Sequence, residues 1–150
     1  MSLYKLLDNV KEILIEDKLC NSVTSGDLSE AMLNKKILYP YSHVSLGTSS
    51  FPANTIQYNL FVLCMDIVDV SKDSITDQYK GNDNEHDAFN TTVTILARLV
   101  EKFRSGDVKL DGYHLVGTPT AEPYYDQFTD KVAGWMLSLS VETINEVGSC

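Results

Sequence analysis

The chain has 150 residues, of which 43% are hydrophobic, and it carries a formal net charge of −9. This length predicts one domain with one core. The acidic balance argues against sequence-tolerant binding to nucleic acid, which needs clustered Lys and Arg side chains to displace counterions. Cys20, Cys64 and Cys150 form no CxxC pair, so we expect free thiols in a reducing compartment rather than a disulfide framework.

The apolar segments predict no membrane helix and no secretory signal. Asp66 and Asp69 interrupt the longest apolar run, whereas a membrane helix needs roughly 18 consecutive apolar residues. The N-terminal segment carries Lys5, Asp8 and Lys11 and lacks a small-residue cleavage site. We therefore expect the product to stay in a cytoplasm, with no membrane partner.

Hydrophobic periodicity predicts the order of helices and strands. Apolar residues that recur every three or four positions indicate a helix, and short alternating or continuous apolar runs indicate strands. Pro40 belongs at an edge or a bulge of its strand, because proline cannot donate to a strand ladder. In chain order, the predicted segments are a helix (3–17), a polar stretch (18–36), a strand (37–46), a loop (47–54), a strand (55–70), a polar loop (71–87), a helix (88–105), a strand with a bulge or turn at Gly112 (108–118), an irregular segment (119–130) and a strand (131–145).

The order α-β-β-α-β-β predicts an α+β domain, in which two main helices pack on one face of a mainly antiparallel sheet. The long strand over 55–70 has two alternating rows of side chains, both largely apolar, which indicates cover on both faces. One row is expected to face the helices. The two rows are Ile56, Tyr58, Leu60, Val62 and Cys64, and Phe61, Leu63, Met65 and Ile67. The row that faces away from the helices is expected to need cover that two helices do not supply, so we expect assembly to begin there.

The residues that could carry catalysis form no active-site constellation. His43 and His114 lie within predicted strands without an acidic or Cys partner at ligand spacing, so they are interpreted as structural or surface residues. His86 lies in an acidic stretch before the second helix, where helix capping is favoured over a metal site. The chain contains no phosphate-binding glycine loop, GxSxG or HExxH motif. We therefore expect no enzyme activity, no cofactor and no metal.

Two segments have the composition of an interaction surface. The acidic loop over 71–87 is long enough to be functional, and residues 119–128 concentrate aromatic side chains of the kind enriched at interfaces. A merely solvated loop and a cap over the open end of the core are the respective alternatives. The predicted interface residues are Asp73, Asp77, Tyr79, Asp83, Glu85, Glu122, Tyr124, Tyr125 and Phe128.

Several stretches of the chain together carry a family resemblance. They are residues 33–40 (LNKKILYP) followed by His43 and Val44, residues 59–69 (NLFVLCMDIVD), an acidic loop leading into a helix, Glu122-Pro123, and the strand at Ala133-Gly134-Trp135. With these stretches the chain resembles small structural proteins of tailed bacteriophages, in particular those of crAss-like phages and prophages. In outline, the order of elements is also similar to the tail-terminator and head–tail joining fold.

The resemblance implies a non-enzymatic subunit of the virion neck or tail, made in the bacterial host cytoplasm. Such a subunit would form a six-fold or twelve-fold cyclic homo-oligomer that contacts other neck or tail ring proteins. DNA would pass through the ring without specific binding, which suits an acidic protein. Two alternatives remain: a cytoplasmic adaptor that binds a protein through residues 119–128, and a small hydrolase or metal-dependent enzyme that uses His86.

Overall fold

A computed structural model describes residues 3–26, 39–68, 85–106, 110–126 and 132–144. Within these ranges the chain adopts an α+β fold with two helices and a five-stranded mixed sheet. The elements are, in chain order, α1 (Leu3–Glu16), β1 (Ser22–Ser25), β2 (Tyr41–Ser50), β3 (Thr55–Ile67), α2 (Glu85–Ser105), β4 (Tyr113–Asp126) and β5 (Val132–Ile144).

The sheet has the strand order β1-β2-β3-β5-β4, which places the long strand β3 at its centre. β2 and β3 form the antiparallel hairpin that the sequence predicts. β5 pairs with β3 along its whole length, from Thr55 opposite Ile144 to Ile67 opposite Val132. β4 pairs antiparallel with β5, whereas β1 pairs in parallel with β2.

Both described helices pack against the same face of the sheet, which we call the inner face. Leu6 and Leu14 of α1 and Leu99 of α2 share one buried cluster with Leu60 and Val62 of β3. The buried apolar residues recur every three or four positions along each helix, so each helix buries one apolar stripe; they are Leu6, Val10, Ile13 and Leu14 in α1 and Ile95, Leu96, Leu99 and Phe103 in α2. Burying one such side chain contributes about 1.5–3 kcal/mol. Neither described helix is long and apolar enough to cross a membrane.

The outer face of β3 is partly covered by the chain itself. Leu63 and Met65 are buried there, in a second cluster with Tyr41 and Val132. The expectation that the row facing away from the helices needs cover from another subunit is therefore wrong for Leu63 and Met65. Only the ends of the row stay accessible: Phe61 is half-buried and Ile67 is 44% exposed.

The short strand β1 is absent from the sequence prediction, which assigns residues 18–36 to a polar stretch. His43 of β2 holds this strand in place. Its Nε2 donates to the Gly26 carbonyl at 2.9 Å, and its Nδ1 accepts from the Thr24 hydroxyl at 2.7 Å. A strand of four mostly polar residues is too short to show a periodic pattern. The contacts that stabilise it come from a residue distant in sequence, so the sequence does not indicate the strand.

β4 corrects the prediction for the segment between α2 and β5. Residues 119–126 are not irregular, since the strand begins at Tyr113 and continues to Asp126. Gly112 lies in the turn before the strand, with a φ of 86°. A register shift between Val116 and Thr120 accommodates Pro119. Prolines made this segment look irregular, but they are tolerated at the bulges of an edge strand.

Other boundaries differ by a few residues. β2 begins at Tyr41 and continues to Ser50, which shortens the connection to β3 to residues 51–54. The helix predicted from residue 88 begins at Glu85. These shifts leave the predicted pairing of β2 with β3 unchanged.

Candidate functional site

The structure separates the predicted interface residues by location. Glu122, Tyr124 and Tyr125 lie on β4, and Glu85 is the first residue of α2. The remaining predicted residues, which lie outside the described residues, are Asp73, Asp77, Tyr79, Asp83 and Phe128.

The predicted aromatic loop is a strand as far as Asp126, and its side chains therefore point to opposite faces of the sheet. Tyr124 lies on the outer face, where it packs half-buried against the cluster that contains Leu63 and Met65. Tyr125 lies on the inner face and is 57% exposed. Residues 119–126 thus present no continuous aromatic surface, and Tyr125 supplies most of the accessible aromatic area there.

Tyr125 belongs to an aromatic surface that the sequence prediction did not identify, formed by Phe89, Tyr125 and Trp135. The Phe89 ring lies 5.4 Å from the Tyr125 ring and 5.6 Å from the Trp135 ring, and both pairs are edge-to-face. Such pairs contribute about 0.5–1.5 kcal/mol beyond their buried area. The surface was missed because its members come from α2, β4 and β5, which are far apart in sequence.

Close packing positions this aromatic surface at the start of α2. The Trp135 indole Nε1 donates to the Phe89 carbonyl at 3.1 Å. One residue earlier, Ala88 packs against Ala133 and Val68, and all three are buried. Small side chains let the helix approach the sheet closely, so the rings of the aromatic surface are held in a defined position.

Both predicted interface segments join the described structure at one end of the sheet, which we call the loop end. Ile67 of β3 and Asp126 of β4 both lie opposite Val132 of β5. Residues 69–84 follow β3, and residues 127–131 connect β4 to β5. The aromatic surface lies at this same end, because Tyr125 is paired with the residue after Val132.

The opposite end, which we call the hairpin end, exposes a different pair of apolar side chains. Phe51 is 75% exposed in the turn between β2 and β3, and Ile144 is 67% exposed at the end of β5. Ile144 lies opposite Thr55, the first residue of β3. β3 has 13 residues, so the two ends are separated by about 40 Å along the strand.

The edges of the sheet are poor templates for another strand. β4 contains Pro119, Pro123 and a register shift, and β1 has only four residues. Beyond the end of β1, β2 has its own register shift between Leu46 and Ser49. Short edge strands, prolines and bulges all limit edge-to-edge pairing. Contacts with another protein are therefore expected at the ends or faces of the sheet.

A charged groove of about 500 Å³ lies between the two helices. Its central contact is an ion pair of 2.9 Å between Arg98 and Asp17. Asp17 also accepts a hydrogen bond from the Leu19 backbone nitrogen, at 3.0 Å. Acidic and basic side chains alternate around the pair, which favours a role in holding α1 against α2. The described lining residues are Ile13, Glu16, Asp17, Lys18, Arg98, Glu101, Lys102 and Ser105.

His43, Cys20 and Cys64 are buried titratable side chains of the described residues. Both ring nitrogens of the buried His43 are engaged in hydrogen bonds. Burial raises the pKa of the Cys64 thiol to about 12 and also raises the pKa of Cys20. A thiol with a raised pKa is a poor nucleophile, because the thiolate is the reactive form. In the described ranges, no three His, Cys, Asp or Glu side chains group to hold a metal ion.

A second groove, of about 410 Å³, lies on the outer face between the register shifts of β2 and β4. Ser140 donates to Asn59 Oδ1 at 2.5 Å, and Asn59 Nδ2 donates to Thr48 Oγ1 at 2.9 Å. The Phe61 ring lies against Gly47, where a Cβ atom would approach it to 2.7 Å. The serines that alternate along β5, Ser138 and Ser140, are the sequence feature that indicates this polar groove.

The loop end therefore exposes apolar side chains on both faces of the sheet, namely Tyr125 on the inner face and Ile67 on the outer face. Comparison with models of known protein families finds no match, and comparison with curated proteins finds none. The functional interpretation of this end accordingly depends on its geometry and on the sequence resemblance described above.

Proposed function

We propose that this protein is a structural subunit of a tailed-phage virion, which assembles into a ring that joins head to tail or terminates the tail. The sequence resemblance supports the phage assignment. The observation that carries the assembly is that different apolar side chains are exposed at the two opposite ends of a sheet whose edges do not favour strand addition. The subunit has no catalytic role and acts inside the particle.

The two patches favour a cyclic arrangement over a simple dimer. We call the apolar side chains exposed at each end a patch: Tyr125, on the inner face, and Ile67, on the outer face, at the loop end, and Phe51 and Ile144 at the hairpin end. A two-fold dimer would bring identical patches together. Contact between different patches is heterologous, and it generates a closed ring when the rotation between subunits returns to its starting point. A six-fold or twelve-fold ring is one such arrangement.

The size of the patches predicts that one contact alone is weak. Burying the exposed fractions of these four side chains would contribute about 4–7 kcal/mol. Bringing two proteins together costs about 4–15 kcal/mol in lost freedom of motion. Ring closure offsets this cost, because the last contact forms between subunits that are already connected. Assembly should therefore depend strongly on concentration, or on other neck and tail proteins that serve as a template.

The charge of the chain suits a ring around DNA. A net charge of −9 repels the phosphate backbone. Repulsion lets DNA pass through a channel without adhering to it, and such passage requires no base-specific contact. The proposed partners are therefore further copies of the chain and other ring proteins of the neck or tail.

Native mass spectrometry over a range of protein concentrations tests the proposal. With a subunit of 16.7 kDa, a closed hexamer has a mass of about 100 kDa and a dodecamer about 200 kDa. Phe51→Asp and Tyr125→Asp should each abolish the ring. Val116→Asp is the matched control, because Val116 is exposed on the outer face between the two ends and the substitution adds the same charge.

A mixing experiment tests the heterologous contact itself. Phe51→Asp retains an intact loop end and Tyr125→Asp retains an intact hairpin end. Mixing these variants should therefore produce a dimer with one intact contact, but no ring. A chain that stays monomeric at every concentration, even with neighbouring virion proteins, would refute the proposal. Capture of host proteins by such a monomer through Tyr125 would instead support the adaptor.

A further inference from the structure

We draw no further inference here: the strongest candidate, the polar groove on the outer face between the bulges of β2 and β4, is lined by small hydroxyl side chains that already hydrogen-bond through Asn59, and nothing in the structure shows what covers it.

Discussion

Replacing Thr143 with valine is expected to stabilise the protein. Thr143 lies on the inner face of β5 and is buried, and its Oγ1 has no hydrogen-bond partner in the part of the chain that the structure describes. Burying a hydroxyl without a partner costs about 1–3 kcal/mol. Valine has nearly the same shape and lacks the hydroxyl. We expect a gain of about 1 kcal/mol in the free energy of unfolding, or about 3 °C in Tm.

Thr92→Val is the matched control for this prediction. Thr92 is also buried, but its hydroxyl donates to the Ala88 carbonyl at 2.7 Å. Removing that hydrogen bond should lower the free energy of unfolding by about 0.5–1.5 kcal/mol. The two substitutions are chemically identical, so their opposite signs isolate the effect of hydrogen bonding.

Urea unfolding followed by circular dichroism measures both variants against the wild type. Thr143→Val should unfold at a higher urea midpoint than the wild type, and Thr92→Val at a lower one, with unchanged slopes. Equal shifts in the two variants would show that the Thr143 hydroxyl has a partner after all. A lower midpoint for Thr143→Val would refute the idea that this side chain is an uncompensated cost.

The other predictions concern the core and its thiols. Leu63→Ala should lower the free energy of unfolding by about 2–5 kcal/mol. Ile67→Ala, on the same face but exposed, should lower it much less. Equal losses in urea unfolding would mean that the outer cluster is not a second core. Because folding raises the pKa of Cys64 from 9.0 to about 12, the unfolded chain ionises first as pH rises. The contribution of the neutral Cys64 thiol to the free energy of unfolding should therefore be fully present below pH 9 and be lost between pH 9 and 12. Cys64→Ala should reduce this loss in unfolding measured across the range, and an identical pH profile would contradict the assignment.

The sheet shows why some elements are predictable from sequence and others are not. α1, β3 and α2 are long, and each carries an apolar repeat that periodicity detects directly. β1 has no such repeat. It is held in place by hydrogen bonds from His43, which is distant in sequence, so no local pattern indicates the strand. β4 contains prolines that suggest irregular structure, yet its edge position and its register shift tolerate them.

The candidate site also contains residues that the sequence indicates and residues that only the tertiary structure brings together. The aromatic composition of residues 119–128 directs attention to Tyr125, which is exposed at the loop end. Composition could not separate Tyr125 from Tyr124, because that requires knowing that the segment is a strand. The contacts of Phe89 with Tyr125 and Trp135 could not be predicted from the sequence either, since ring contacts between distant segments leave no local pattern.

The sequence by itself determined the α+β class, the β2–β3 hairpin and the central strand, because periodicity and turn residues act over a few neighbouring positions. Only the tertiary structure decided which apolar side chains stay exposed. Met65 and Ile67 belong to the same apolar row of one strand, yet Met65 is buried and Ile67 is exposed. Burial depends on the elements that pack against each position, and those elements come from distant parts of the chain.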